Sequence, residues 1–310
     1  MRSKIRQIAP WLVTLAVLTY LFSQVPFAKV WTAVTHAASW TLPAVLAIIL
    51  CIYLADCLAI WKTFTWFVAP LTYRQTMTLR GATYLLALVN YALGQGAFVY
   101  FLHRSQKVPV VRGAAAVLLI MGTNLLLLLI LSTLGLGFGA AMPGELKVLI
   151  LAGNAALALY IVLMALRPRW LAKRPVLDVL LFAGFTGHLR AMAVRIPHII
   201  ALLALNFAIL HAFSVRVPLL QALAYLPMVF LVAVIPISVQ GLGPTQGAMT
   251  FFFQQYAQGD AQQRAASVLA ASLSAQAIAT CVQILLGVIC IRSELVKGLK
   301  QEAKENLAKS

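Results

Sequence analysis

The chain has 310 residues, 62% of them hydrophobic and only 10% charged, with 24 Lys and Arg against 7 Asp and Glu for a formal net charge of +17. A soluble domain of that composition could not cover its own core, so a soluble globular fold is excluded. Nucleic-acid binding is not indicated either: the bases lie between apolar runs, where the positive-inside bias and anionic headgroups account for them, and no aromatic–basic signature accompanies them. The expected fold class is all-α, a polytopic membrane helix bundle.

The N-terminus carries Arg2, Lys4 and Arg6 before an apolar core, but Leu21-Phe22-Ser23-Gln24 offers no small-x-small cleavage site. An uncleaved first span over 8–25 is expected. Residues 26–40, with Trp31, His36 and Trp40, suit the membrane interface. A second span over 42–61 contains Asp56. An ionisable group inside a membrane segment is a functional candidate by default; its available partners are Lys62, within two turns, or a neighbouring helix.

Lys62, Arg74 and Arg80 read as one basic loop, and His103, Arg104, Lys107 and Arg112 as another. The segment between them, 81–102, is short and interrupted by Asn90, Gly94, Gln95 and Gly96. If both loops are cytoplasmic, it enters and returns as a re-entrant hairpin with its tip at 90–96. A clear span over 113–138, an external loop over 139–147 and a returning span over 148–166 follow. Arg167, Arg169, Lys173 and Arg174 mark the cytoplasm. Residues 176–189, with Asp178, Gly184, Gly187 and His188, read as an interfacial or partly inserted helix, and 196–213 as an outward span. His188 with Arg190 and Arg195 offers a phosphate cradle, although a solvated basic loop is the commoner explanation of such a cluster.

The stretch from Pro227 to Gln258 begins as an apolar run, breaks at Pro236-Ile-Ser-Val-Gln-Gly-Leu-Gly-Pro244, and resumes as a shorter one. Two prolines and two glycines rule out a continuous helix. Non-helical backbone at membrane depth survives only where protein covers it or where it lines a cavity, and such breaks are where transporters place substrate sites. The tail bases Arg292, Lys297, Lys300, Lys304 and Lys309 put the C-terminus inside, so the last span, 265–291, starts outside after a loop at 258–264. Parity then makes 218–257 a second hairpin, entering from the opposite face with its tip at 236–244. The expected architecture is about six full spans plus two oppositely entering re-entrant hairpins, with a possible inverted repeat. It forms one membrane domain over 1–292 and a polar cytoplasmic tail over 293–310, with both termini cytoplasmic.

Cys51, Cys57, Cys281 and Cys290 all lie in apolar runs and read as small buried hydrophobes. The histidines show no ligand spacing, and neither Gly94-x-Gly96 nor Gly241-x-Gly243 is a phosphate loop. Metal, cofactor and catalytic residues are therefore not expected. What remains is a set of neutral polar groups at membrane depth, each costing on the order of 2 to 4 kcal/mol in hydrocarbon if left uncompensated. The candidate substrate-binding residues are Asn90, Gln95, Asn124, Ser238, Gln240, Gly241, Gly243 and Gln246, with Arg104 and Arg112 at the cytoplasmic mouth; Gln276 and Gln283 are further polar groups at that depth.

Pro236-Ile-Ser-Val-Gln-Gly-Leu-Gly243, followed by an apolar helix and an Ala- and Ser-rich span, resembles the closing motif of the lysylphosphatidylglycerol synthase transmembrane region, or flippase-like domain, family. Asn90 through Gly94-Gln95 to Leu102-His103-Arg104 resembles that family's earlier hairpin. The resemblance covers nearly the whole chain in layout and is specific at 236–243. Thr245-Gln246 stands where the family usually has Arg-Glu, Gly94-Gln95 where it has Gly-Glu, and Gly122-Thr123-Asn124 where an acid and a base are common. The resemblance implies movement of lipid headgroups, and the departures argue against a cationic one. Only a short polar stretch follows the last span, so lysyl transfer to lipid is not expected. The expected function is translocation of a polar or phosphorylated lipid headgroup across a bacterial-type inner membrane. The alternatives are a non-transporting membrane partner of a lipid-synthesis enzyme or glycosyltransferase, and an embedded lipid-phosphate enzyme. The expected partners are membrane lipids with anionic or phosphorylated headgroups; a homo-oligomer or a lipid-synthesis enzyme partner stays open.

Overall fold

The computed structural model describes residues 15, 19–23, 27–37, 39–137, 144–166, 177–234 and 238–307. The expected first span at 8–25, Pro236, and the bases at 167–174 lie largely or wholly outside them. The described residues form helices α1 (Phe27–Thr35), α2 (Thr41–Phe67), α3 (Tyr73–Val89), α4 (Tyr91–Gln106), α5 (Val110–Gly137) and α6 (Gly144–Leu166). There follow α7 (Asp178–Ala212), α8 (Leu219–Val234), α9 (Pro244–Phe253) and α10 (Ala261–Leu307). No strand occurs among them. Five of these helices, α2, α5, α6, α7 and α10, are long and apolar enough to cross a bilayer. Exposed Leu149, Leu151 and Leu159 on α6 and Leu285 and Ile289 on α10 suit lipid, not water. The chain is a multi-pass helical membrane protein.

The spans run between two ends of the bundle. α2 and α7 are antiparallel: Asp56 meets Arg195, and His198 meets Ile52. At one end the Phe67 ring lies against Gly187. Arg112, at the start of α5, donates to the Phe67 carbonyl at the same end. The other end holds Phe213. There the Arg216 N–H donates to the Tyr256 carbonyl at 2.9 Å, and α5 finishes against α8, with Gly135 close to Ala224.

Two helix–break–helix pairs fill the space between. α3 and α4 begin and end toward the Phe67 end: Trp61 Nε1 donates to the Leu71 carbonyl just before α3, and His103 near the close of α4 bonds to Val108. Thr72 and Gln75 form a reciprocal cap that starts α3. Asn90 ends α3 and caps α4, its Oδ1 accepting from the Ala92 N–H at 2.8 Å. α8 and α9 begin and end at the Phe213 end. Their break contains a 3₁₀ turn, Val239–Gly241, and α9 opens with Pro244 at its first position. With 17 and 16 residues, α3 and α4 are about 25 Å long, against a hydrocarbon core of about 30 Å.

The order α2, paired α3–α4, α5 recurs as α7, paired α8–α9, α10, run in the opposite direction. The packing follows the same correspondence: α5 packs on α8 as α10 packs on α3, α4 on α5 as α9 on α10, and α2 meets its counterpart α7 along the middle. α6 links the two units and lies outside both.

Several expectations change. The helical unit expected over 176–189 has its boundary earlier: α7 runs from Asp178 to Ala212 as two helical pieces joined at Gly184, whose φ of 56° and ψ of −171° suit glycine alone. Lys62 and Arg80 are not loop residues. Lys62 lies in α2, its Nζ 4.2 Å from the Trp61 ring centroid, and Arg80 lies two turns inside α3. The first tip is the single residue Asn90, because its side chain starts the next helix at once; Gln95 and Gly96 are helical. α10 continues without a break through 293–307. Of the cysteines, only Cys57 is buried; Cys51 and Cys281 are exposed and Cys290 is half-buried. A thiol is as much at home in lipid as in a core, so an apolar run does not say which it faces.

Candidate polar site at the meeting of the helix pairs

Asp56 is the anchor of a charged cluster inside the bundle. It is 3% exposed. Its Oδ2 accepts from Arg80 Nε at 2.8 Å and its Oδ1 from Arg195 Nη1. Arg195 Nε donates to Asn124 Oδ1 at 3.1 Å. α2, α3, α5 and α7 thus each contribute one residue. His198, one turn beyond Arg195, donates from Nδ1 to the Ile52 carbonyl at 3.3 Å, since a carbonyl can only accept. The Arg80 guanidinium lies 5.3 Å from the Tyr84 ring centroid, within cation–π range.

Two guanidiniums face one carboxylate. With both guanidiniums and the carboxylate ionised, the cluster carries one surplus positive charge. Burial makes that surplus costly unless an anion or polar dipoles offset it.

One and two turns further along α3, the two helix pairs touch at their breaks. Gln240 Nε2 donates to the Ala87 carbonyl at 3.4 Å, and Gln276 Nε2 on α10 donates to Gln240 Oε1 at 3.1 Å. Gln240 has a φ of 50°, and Gly241 and Gly243 have φ of 74° and 91°. Gln246 is 1% exposed, and its Oε1 accepts from the Gly243 N–H at 2.7 Å. Ser238 Oγ, Thr245 Oγ1 and Thr250 Oγ1 are buried without a partner among the described residues. That concentration of unpaired hydroxyls on one break and its following helix is unusual in a folded interior.

The sequence candidates therefore fall into separate groups. Asp56 and Asn124 join the ion cluster. Ser238, Gln240, Gly241, Gly243 and Gln246 build the second break. Gln240 spends both ends of its amide on Ala87 and Gln276, and Gln246 spends its oxygen on the backbone. Asn90 is exposed at the first break, and Gln95 is half-buried one turn beyond. Arg104 and Arg112 are exposed at the Phe67 end, away from the cluster. The proposed cradle of His188, Arg190 and Arg195 does not form. Arg195 turns to Asp56, Arg190 is exposed, and His188 donates from Nδ1 to Gly184 O while its Nε2 accepts from Tyr160 Oη at 2.6 Å.

Sequence reasoning missed the pairing of Arg80 and Arg195 with Asp56, because it read Arg80 as a loop base and Arg195 as part of a cradle with His188 and Arg190. A signal for Arg80 exists: Thr72-x-x-Gln75 is a capping box that starts a helix well before it. No group of His, Cys, Asp and Glu suited to a metal occurs among the described residues. Comparison of the chain with protein-family models, curated proteins and solved structures gives no match.

Proposed function

We propose that the protein translocates a lipid with an anionic or phosphorylated headgroup between the leaflets of a bacterial-type inner membrane, without covalent chemistry. The observation that carries this reading is the buried pair Arg80 and Arg195 held by the single carboxylate of Asp56. A surplus guanidinium charge at membrane depth is the complement of a phosphate and repels a cationic headgroup. The resemblance to the flippase-like domain family points the same way, and the neutral residues Gln95, Asn124 and Gln246 fit an anionic cargo better than a cationic one.

The mechanism is alternating exposure. The paired helices α3–α4 and α8–α9 act as re-entrant hairpins of an inverted repeat, entering from opposite faces and meeting through Gln240 and Ala87. Rocking one unit against the other opens the polar interior to one leaflet and then the other while the lipid tails stay in hydrocarbon. Both termini lie in the cytoplasm, with the Phe67 end and its exposed Arg74, Arg104 and Arg112 on that side.

The test is translocation of fluorescent phosphatidylglycerol and phosphatidylcholine in proteoliposomes, read by chemical quenching of the outer leaflet. Faster exchange of the anionic lipid is expected, and Arg80→Met should reduce it at least tenfold while the protein stays folded. If wild-type protein moves neither lipid above the rate of empty vesicles, the translocase reading fails and that of a non-transporting partner replaces it.

A further inference from the structure

A cleft of about 440 Å³ lies between α5, α6 and α7, bordered by Leu126, Leu157, Tyr160, Met164, His188 and Met192. It exists because α6 packs thinly on the bundle, with Leu146, Ile150 and Leu157 reaching the core. Near the Phe213 end, Asn154 Nδ2 donates to Thr133 Oγ1 at 2.9 Å, and Gly153 lies against Leu129. Near the Phe67 end, Tyr160 donates to His188. Of all α6 residues, only Ile150 is buried. The bend at Gly184 carries the first turns of α7 off the axis of the rest of the helix. The mouth faces the surrounding membrane: Phe185 is 69% and Ile161 45% exposed.

We propose that this cleft is a lateral binding slot for one acyl chain of an anionic phospholipid whose headgroup is drawn to the Arg80–Asp56–Arg195 cluster. The proposal rests on the translocase reading and names the entry route of its substrate. Three observations carry it. The lining is apolar apart from Tyr160 and His188, and each of these satisfies the other, so the wall presents no unpaired polar atom to a hydrocarbon chain. Met164 and Met192 are flexible fillers that adapt to a chain of variable shape. The cleft also lies next to the charged cluster along one side of α7, where Met192 is one turn and His188 two turns before Arg195. A lipid lying in the cleft therefore has its polar end within a turn or two of the surplus guanidinium charge. The volume falls within the range of about 300–1,000 Å³ typical of small-molecule sites.

The experiment uses the full chain in nanodiscs with a photoactivatable diazirine on the acyl chain of phosphatidylglycerol, and the same probe on phosphatidylcholine. Cross-links mapped by peptide sequencing should concentrate on 126–130, 157–165 and 184–192, at least fivefold above the exposed faces of α2 and α10, and with the anionic probe preferred. Ile161→Trp narrows the mouth at an exposed position and should remove that enrichment while leaving thermal stability unchanged. Even labelling of all lipid-facing helices, equal labelling by the two probes, or enrichment that survives Ile161→Trp each overturns the slot. A cleft left unlabelled because a partner helix fills it overturns the slot as well. Translocation measured on the same protein separates the two readings. An enriched cleft in a protein that moves no lipid defeats the translocase and leaves the slot standing. Undiminished translocation by Ile161→Trp defeats the slot and leaves the translocase.

Discussion

Asp56 on α2 and Arg195 on α7 are 139 positions apart in the chain and form a buried ion pair where those two spans meet. Arg80 completes the cluster on the other carboxylate oxygen. This arrangement orders the costs of mutation. Removing the acid leaves two buried guanidiniums without a counter-charge, whereas removing Arg80 leaves a neutral Asp56–Arg195 pair. Breaking a buried pair by deleting one partner costs about 3–5 kcal/mol. Asp56→Asn is therefore expected to lose about that much stability in a thermal melt in nanodiscs, and Arg80→Met clearly less. Equal stability of the two variants would show that the carboxylate is not what holds the cluster together.

The helical class, the five long spans and both helix breaks were legible from hydrophobic runs and from Pro and Gly punctuation, because the bilayer imposes a length and the breakers act locally. The contact of the two breaks through Gln240 and Ala87 depends on how the helix pairs pack and has no local signal. Of the ion cluster, Asp56 and Asn124 were legible as candidates. The inward turn of Arg80 and Arg195 was hidden because a statistical charge rule cannot separate an arginine that faces the cytoplasm from one that reaches a carboxylate on another helix. The link between Tyr160 and His188 left no local signal, since it depends on how two spans pack. The placing of the α7 kink at Gly184 was hidden for a similar reason: a glycine that bends a helix and one that ends it look alike in sequence.

Gly135 sets the distance between α5 and α8. A Cβ built there would lie 2.8 Å from the Ala224 carbonyl oxygen and 3.0 Å from its Cα. Both are backbone atoms, so nothing can rotate away, and the helices must separate. Gly135→Ala is expected to destabilise the protein by about 1–3 kcal/mol, the usual range for overpacking. Gly137, two residues on, has open space at the same construction, so Gly137→Ala should be neutral and serves as the control in the same melt.

The start of α10 should respond to acid. Asp260 lies at the bundle surface, and its carboxylate is held below the ordinary range chiefly by the Gln263 backbone N–H, which donates to Oδ1 at 2.7 Å; Lys29 Nζ adds to this, 3.3 Å from Oδ2. Because the folded value is depressed, the cap's contribution is present above the unfolded carboxylate value of about 3.9. It is lost as pH falls below that value and through the folded one. Hydrogen exchange at 261–266, corrected for intrinsic rate, should lose protection between pH 5 and pH 3. Asp260→Asn should abolish this pH dependence. Lys29→Ala should leave most of it, because an exposed pair of this kind is weak and screened.

Gln246 tests whether the second break is held by its own side chains or kept ready for a ligand. Its Oε1 takes the Gly243 N–H at 2.7 Å in a buried setting, at a glycine whose φ of 91° no ordinary residue adopts comfortably. Gln246→Leu leaves that N–H buried and unpaired, which costs about 1–3 kcal/mol. Gln246→Glu keeps an acceptor in the same place, beside a helix N-terminus that favours negative charge, and is expected to lose less stability despite burying a carboxylate. Gly243→Ala adds the strain of a Cβ in the left-handed region, about 1–2 kcal/mol. Thermal stability and lipid translocation measured on the same preparations decide the matter. Stability should fall in the order Gln246→Glu, then Gln246→Leu, with translocation per folded molecule reduced only where the break has loosened. If Gln246→Leu proves as stable as wild type yet moves no lipid, the glutamine acts on the cargo, and its bond to Gly243 is incidental to the fold.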